Sequence, residues 1–425
     1  MRTPYDARAV ERTVERAARA SYGRLVAILA ARTHDVAAAE DALGDAFAAA
    51  LAQWPVEGVP ARPESWLVAT ARRRLLDGRR RAHVREAAEP ALAHVMTAAG
   101  AASAEALAAV DADVFPDRRL GLLFACAHPG IDAAVRTPLM LQVVLGLDAE
   151  AVAAAFLVAP SAMAQRLVRA KRKLRDAGVP FEVPGREALA PRLDAVLEAI
   201  YGAFGAAWSA LAVVGGDAQR ADLADEAIWL GRLVVDALPD EPEARGLLAL
   251  MLYCHARRGA RMDATGAYVP LDAQDPARWD AAMVGEAERL LAQAARARRP
   301  GRFQLEAALQ SAHLAPAYGR PRDWPAIAAL YDALAAHAPT VGVLVGRAAA
   351  IGEAHGPDAG LATLAAIGDD ALRDYQPAWA LTAHLLARAG RAAAARDAYA
   401  RAAGLTADAA VRGFLLARRA ALAPG

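Results

Sequence analysis

Apolar residues recur at intervals of three and four along most of this chain, and the two-residue alternation of strands is nearly absent. That period places the apolar positions on one face of successive helices, so the pattern predicts an all-α protein. Val10, Val14, Ala17 and Ala18 lead into Leu25, Ile28 and Leu29, which gives a first helix over 10–32. Ala39, Ala42, Leu43, Ala46, Phe47, Ala50 and Leu51 make the inner face of a second over 36–54. Trp66, Leu67, Ala71, Leu75 and Leu76 give a third that starts near Glu64, after a loop punctuated by Pro55, Gly58, Pro60 and Pro63. Residues 87–112 are alanine-rich and weakly patterned. Leu120, Leu122, Leu123, Phe124 and Cys126 then open a new apolar cluster beginning near Phe115. Helices follow over 136–145, closed by Gly146, and over 149–156. Beyond a stop at 177–184 the pattern resumes over 193–208, 223–238, 243–257, 279–296 and 304–314.

Charge sharpens the stretch 148–175, DAEAVAAAFLVAPSAMAQRLVRAKRKLR. Val152, Ala153 and Phe156 line a short helix. Pro160 has no amide hydrogen and is expected to stop it, and Ser161 is expected to cap the next helix. In that next helix Met163, Leu167, Ala170 and Leu174 form one stripe, while Gln165, Arg166, Arg169, Arg172 and Lys173 turn the other way. Between Arg166 and Arg175 stand six basic residues and no acid. A helix apolar on one side and basic on the other, set behind a helix and a turn, fits the recognition helix of a helix-turn-helix. The basic face of an ordinary bundle gives the same short pattern.

A second basic segment lies earlier. Residues 62–85 hold eight arginines, among them Arg72, Arg73, Arg74, Arg79 and Arg80, against Glu64 and Asp77. Solvated helices normally mix their signs, so this run is expected to meet phosphates, with strong salt dependence. Trp54 and Trp66 flank the preceding loop and suit either a core or a platform for unstacked bases. The second helix carries Glu40, Asp41 and Asp45 near its start. There acids suit the helix dipole and also make a negative ridge for a basic partner.

Composition narrows the classes. The 425 residues carry a net charge of +1, so any nucleic-acid site is a local patch. Cys126 and Cys254 are too few for a disulfide framework, which points to a reducing cytoplasm. No signal-peptide core or membrane span is expected. Cys126 with His128, and Cys254 with His255, lack the second ligand pair of a zinc site and are expected to be a buried thiol and a capping ring. There is no nucleotide-binding loop, HExxH motif or nucleophile elbow, and the scattered histidines have no partner at catalytic spacing. Neither enzyme chemistry nor a cofactor or metal is expected.

The order of an acidic-faced helix, a Pro/Gly loop, a basic WLVATARRRLLDGRRR helix, a linker and a basic helix-turn-helix resembles the extracytoplasmic-function (ECF) sigma factors of bacterial RNA polymerase. AEDALGDAF at 39–47 resembles the core-binding motif of sigma region 2, which implies core contacts at Glu40, Asp41 and Asp45. WLVATARRRLLDGRRR at 66–81 resembles the segment that opens and reads the −10 element. That implies roles there for Trp54, Trp66, Arg72, Arg73, Arg74, Arg79 and Arg80. Residues 147–174 are similar to region 4, which implies −35 contacts by Ser161, Gln165, Arg166, Arg169, Arg172 and Lys173. Stretches such as HPGIDAAVRTPLMLQVVLGL and DLADEAIWLGRLVVDALPDEPEARGLLALMLYCHARRGAR resemble the subgroup with a long helical C-terminal extension. Gly44 stands where the family usually has glutamine. Ala162 and Ala164 replace polar residues, leaving base reading to Gln165 and Arg166. Gly346 stands where the subgroup usually has asparagine.

The resulting expectation is sigma region 2 over 1–85, a linker over 86–114, a region 4 helix-turn-helix over 115–183 and a helical extension over 184–425. Residues 323–421 repeat with a period of 34: Gly356 returns as Gly390, Ile327 as Leu361 and Ala395, and Leu330 as Leu364 and Ala398. This resembles a tetratricopeptide solenoid, whose groove suits a peptide or protein partner. The expected function is that of an alternative sigma factor working with core RNA polymerase and promoter DNA, its extension regulating it or binding a partner. The alternative is a helix-turn-helix regulator with a protein-binding repeat domain and no polymerase docking.

Overall fold

The computed structural model describes residues 7–86, 118–156, 158–210 and 218–422. Among these the chain is helix and turn, with one isolated antiparallel bridge between Met262 and Tyr268. The all-α expectation holds. No helix among the described residues is long and apolar enough to cross a membrane. The chain divides into two units, Met1–Ala203 and Phe204–Gly425. The division falls inside a helix rather than at the 177–184 stop, and the expected linker lies almost wholly outside the described residues.

The first unit begins with α1 (Ala7–Thr33), α2 (Val36–Glu57) and α3 (Pro63–Glu86), which pack on one another. Asp35 starts α2 by accepting a hydrogen bond from the Ala38 amide at 3.0 Å. Leu25, Leu29, Leu43, Trp54 and Leu67 are fully enclosed between the three helices. Leu51, expected inside, is 46% exposed because the helix turns it away from α1 and α3. Pro55 does not break α2: it sits in the last turn, and Gly58, at φ 94°, closes the helix with its amide on the Trp54 carbonyl. The loop is therefore shorter than the prolines suggested. At the base of α3 Glu64 accepts a hydrogen bond from Ser21 and lies 3.5 Å from Arg24, tying α3 to α1.

Four further helices follow in this unit. They are α4 (Arg119–Cys126), α5 (Ala133–Val143), α6 (Ala149–Ala155) and α7 (Pro160–Asp176). Gly146, at φ 68°, makes the left-handed turn after α5. Asp148 accepts from the Ala151 amide at 2.6 Å to start α6. The start of α7 corrects the sequence expectation. Pro160 is its first residue, where a missing amide costs nothing, Ala159 is the cap, and Ser161 lies in the first turn. Met163, Leu167, Ala170 and Leu174 are buried as the stripe required. Cys126 is fully buried, which pushes its thiol up to about 12. His128 accepts from the Gly130 amide at 3.0 Å, a turn rather than a ligand geometry. α8 (Arg186–Ala210) carries the chain across the division.

The second unit stacks helices that pack mainly on their sequence neighbours: α9 (Ala218–Ala237), α10 (Pro242–Ala256), α11 (Ala281–Arg296), α12 (Arg302–Leu314), α13 (Trp324–His337), α14 (Val341–His355), α15 (Pro357–Ala365), α16 (Asp369–Leu372), α17 (Gln376–Arg388), α18 (Ala392–Leu405) and α19 (Ala409–Ala420). The 34-residue period has a structural counterpart: Gly356 links α14 to α15 at φ 99°, and Gly390 links α17 to α18 at φ 74°. Gly346 is explained by packing, since a side-chain carbon there would come within 2.6 Å of the Tyr331 ring. Among the described residues no three potential metal ligands cluster.

His313 sits on Trp324 with ring centroids 5.8 Å apart. Burial, with Arg322 and Arg257 nearby, holds its imidazole down to about 4. The unfolded chain takes up this proton near the ordinary 6.5, the folded chain only near 4. Stability is therefore lost as pH falls through that window. Thermal melts of the full chain should lose on the order of 1 kcal/mol between pH 7 and 5 from this ring. His255, also held down by burial, adds to the same slope. His313→Gln should flatten that slope; an unchanged slope would show that the ring titrates normally.

Candidate nucleic-acid interface

The basic face of α7 is open. Gln165, Arg166, Arg169, Arg172 and Lys173 are all exposed, as is Ser161. The spacing that buries Met163 and Leu167 necessarily turns these residues outward. Arg166, Arg169 and Lys173 border a cleft of about 430 Å³ together with Ile131, Asp132 and Val135 of the loop and start of α5. Arg172 is partly neutralised by Asp176, 3.4 Å away and one turn on. α6 and α7 pack against each other. The arrangement offers one row of cationic donors, suited to phosphates along a groove and to base edges within it.

The earlier basic segment is more mixed than its sequence. Arg73 and Arg74 are exposed on α3. Arg72 is only 6% exposed, and burial with the neighbouring Arg32 guanidinium lowers its pKa. Its place in the helix turns it inward, so it does not reach a phosphate from this position. Arg79 and Arg80 belong to α3, but their side chains lie outside the described residues. Trp54 is also corrected. It is 1% exposed and meets Trp66 edge to face at 5.4 Å, making it part of the core. Trp66 is half-buried against it.

The acidic residues of α2 divide in the same way. Asp41 and Asp45, one turn apart, are exposed. Glu40 faces α7. Its carboxylate accepts a hydrogen bond from the Lys171 ammonium at 2.5 Å, and both side chains are mostly buried, at 14% and 12% exposure. The Tyr22 hydroxyl donates to the other oxygen at 3.4 Å. Burial and this carboxylate push the Tyr22 pKa up, so the phenol keeps its proton. The sequence reading missed Lys171 and Tyr22. Lys171 stands 131 positions from Glu40, and no local pattern links the two.

Two family models match separate parts of the chain. Residues 18–85, which span most of α1 through α3, match sigma-70 region 2. Residues 192–295, from α8 to α11, match a family of unknown function, DUF6596. The uncharacterized protein R00370 of Rhizobium meliloti (strain 1021) is 38% identical over 377 residues, covering 89% of this chain and 88% of that protein. No solved structure matches the chain.

Proposed function

We propose that this chain, whose residues 18–85 match sigma-70 region 2, is an alternative sigma factor of the ECF type, directing core RNA polymerase to promoters through two separate DNA contacts. The observation that carries this reading is the pairing of a sigma-70 region 2 module with a second module whose exposed helix bears Gln165, Arg166, Arg169, Arg172 and Lys173. Asp41, Asp45 and Glu40 would dock on a basic surface of the core. Arg73, Arg74, Arg79 and Arg80 would face the −10 region, with Trp66 and the loop after α2 beside the unpaired bases. Unpairing costs a few kcal/mol, which stacking and phosphate contacts would offset.

At −35, Gln165 and Arg166 would read base edges in the major groove, while Arg169, Arg172 and Lys173 would hold phosphates. The helices of the second unit, with their recurring glycine-linked hairpins, would form a tetratricopeptide-like groove that regulates the first unit or binds a protein partner.

Reconstituted run-off transcription with core polymerase, on the DNA upstream of the chain's own gene, tests the whole reading. Arg166→Ala should reduce output by roughly 5- to 100-fold, the value of one bidentate base contact, and leave core capture unchanged. Unchanged output would remove the −35 assignment. Failure of the wild type to capture core would favour a regulator that acts without polymerase docking.

A further inference from the structure

The contacts between the region 2 helices and the helix-turn-helix form a continuous seam within the first unit. Lys171 meets Glu40 at 2.5 Å. Arg175, one turn on along α7, lies 3.8 Å from Asp35 at the start of α2. The α1 backbone at Gly23 lies so close to the Val144 carbonyl that a side chain there would collide with it. His34 at the end of α1 meets Phe181 with ring centroids 5.8 Å apart.

Two physical facts make this seam incompatible with the working state proposed above. A carboxylate already paired with a mostly buried ammonium is not available to a basic surface on another protein. Elements named −10 and −35 lie about 25 base pairs apart, roughly 85 Å of duplex at 3.4 Å per pair, which two touching modules do not span. The reading face of α7 stays exposed while Glu40 is covered, so closure blocks polymerase docking and simultaneous contact with both elements, and leaves α7 itself open to DNA.

We propose that the Glu40–Lys171 and Asp35–Arg175 contacts are an autoinhibitory latch: they hold the two modules closed and mask part of the polymerase-docking ridge until the core competes for Glu40. The latch rests on the sigma-factor reading above. Lys171 is its key, because removing it leaves Glu40 enclosed without its countercharge, a situation relieved by opening.

The test uses the full chain and purified core polymerase. Asp35→Cys and Arg175→Cys are joined by a short bis-maleimide with a cleavable spacer, and each single-cysteine variant is treated in parallel to control for Cys126 and Cys254. The linked protein should bind core roughly tenfold or more weakly, and cleaving the spacer should restore binding. Independently, Lys171→Met should bind core several-fold more tightly than the wild type, whereas a purely structural pair would show lower melting temperature and no gain in affinity. Equal core binding by linked and cleaved protein overturns the latch while leaving the sigma-factor reading intact. Absence of core binding by the unlinked wild type overturns that reading and the latch with it.

Discussion

Trp54→Ala should cost the first module about 3–5 kcal/mol, the range for emptying a large aromatic site in a packed core. Trp54 is 1% exposed and sits where α2 ends, edge-on to Trp66 of α3. Its removal takes away this edge-to-face contact between α2 and α3, in addition to leaving a cavity. A domain is stable by only about 5–15 kcal/mol, so most of the region 2 margin would go. Trp54→Phe provides the internal control. Among the described residues the indole nitrogen has no hydrogen-bond partner, so what the core needs from this residue is ring area. Phenylalanine should recover more than half of the loss in a urea melt. If Trp54→Ala melts like the wild type, or if phenylalanine is no better than alanine, the residue is not the core element described here.

Glu243→Ala is expected to destabilise the second unit by about 2–3 kcal/mol, the value of charge-assisted hydrogen bonds to buried donors. Glu243 lies in the first turn of α10, but its carboxylate works on another helix. It accepts from the Phe303 amide at 2.9 Å and from the Gln304 amide at 3.1 Å, both at the start of α12. The Gln304 side-chain amide donates to the same carboxylate at 2.9 Å and to the Arg299 carbonyl at 2.8 Å. Gly301, the residue before α12, has no side chain and leaves room for this acid to act as its cap. Gly246 lets the helices close, since a side-chain carbon there would come within 2.6 Å of the Gln304 amide nitrogen. Alanine at 243 leaves two helix-terminal amides and a 6% exposed glutamine without their acceptor. The loss is to be read from the midpoint of chemical unfolding. Glu243→Gln, which keeps one acceptor oxygen, should fall between the two. A wild-type midpoint for Glu243→Ala would show that α12 is capped without it.

Helix after helix was legible in the chain because the signals involved are local. The stripe of Met163, Leu167, Ala170 and Leu174 is buried and the basic residues between them are exposed, as a period of 3.6 demands. The 34-residue spacing of Gly356 and Gly390 marks two inter-helix turns with positive φ, for which glycine is the natural residue. Where the reading went wrong, a local signal had two meanings. Pro160 stands beyond the end of α6 at Ala155, as expected, but also opens α7, where a first-turn amide has no partner to lose, while Pro55, expected in the loop, is carried inside the final turn of α2 at the loss of one backbone hydrogen bond. The resemblance implies −10 contacts for Arg72 and Trp54, whereas the packing of α1, α2 and α3 buries both, the core alternative that the sequence left open for Trp54.

The order of elements, their helical character, the cationic face of α7 and the likeness to a sigma factor were all determined by the sequence alone, since each depends on residues within a few turns of one another. The docking of Lys171 on Glu40, the capping of α12 by Glu243 and the meeting of Tyr268 with Phe414 at 5.5 Å were decided only by the tertiary structure. Each joins groups far apart in the chain. A carboxylate carries the same charge whether it faces solvent, a partner protein or its own distant lysine. Only the packing of the helices, which brings particular faces within a few ångströms, selects among the three.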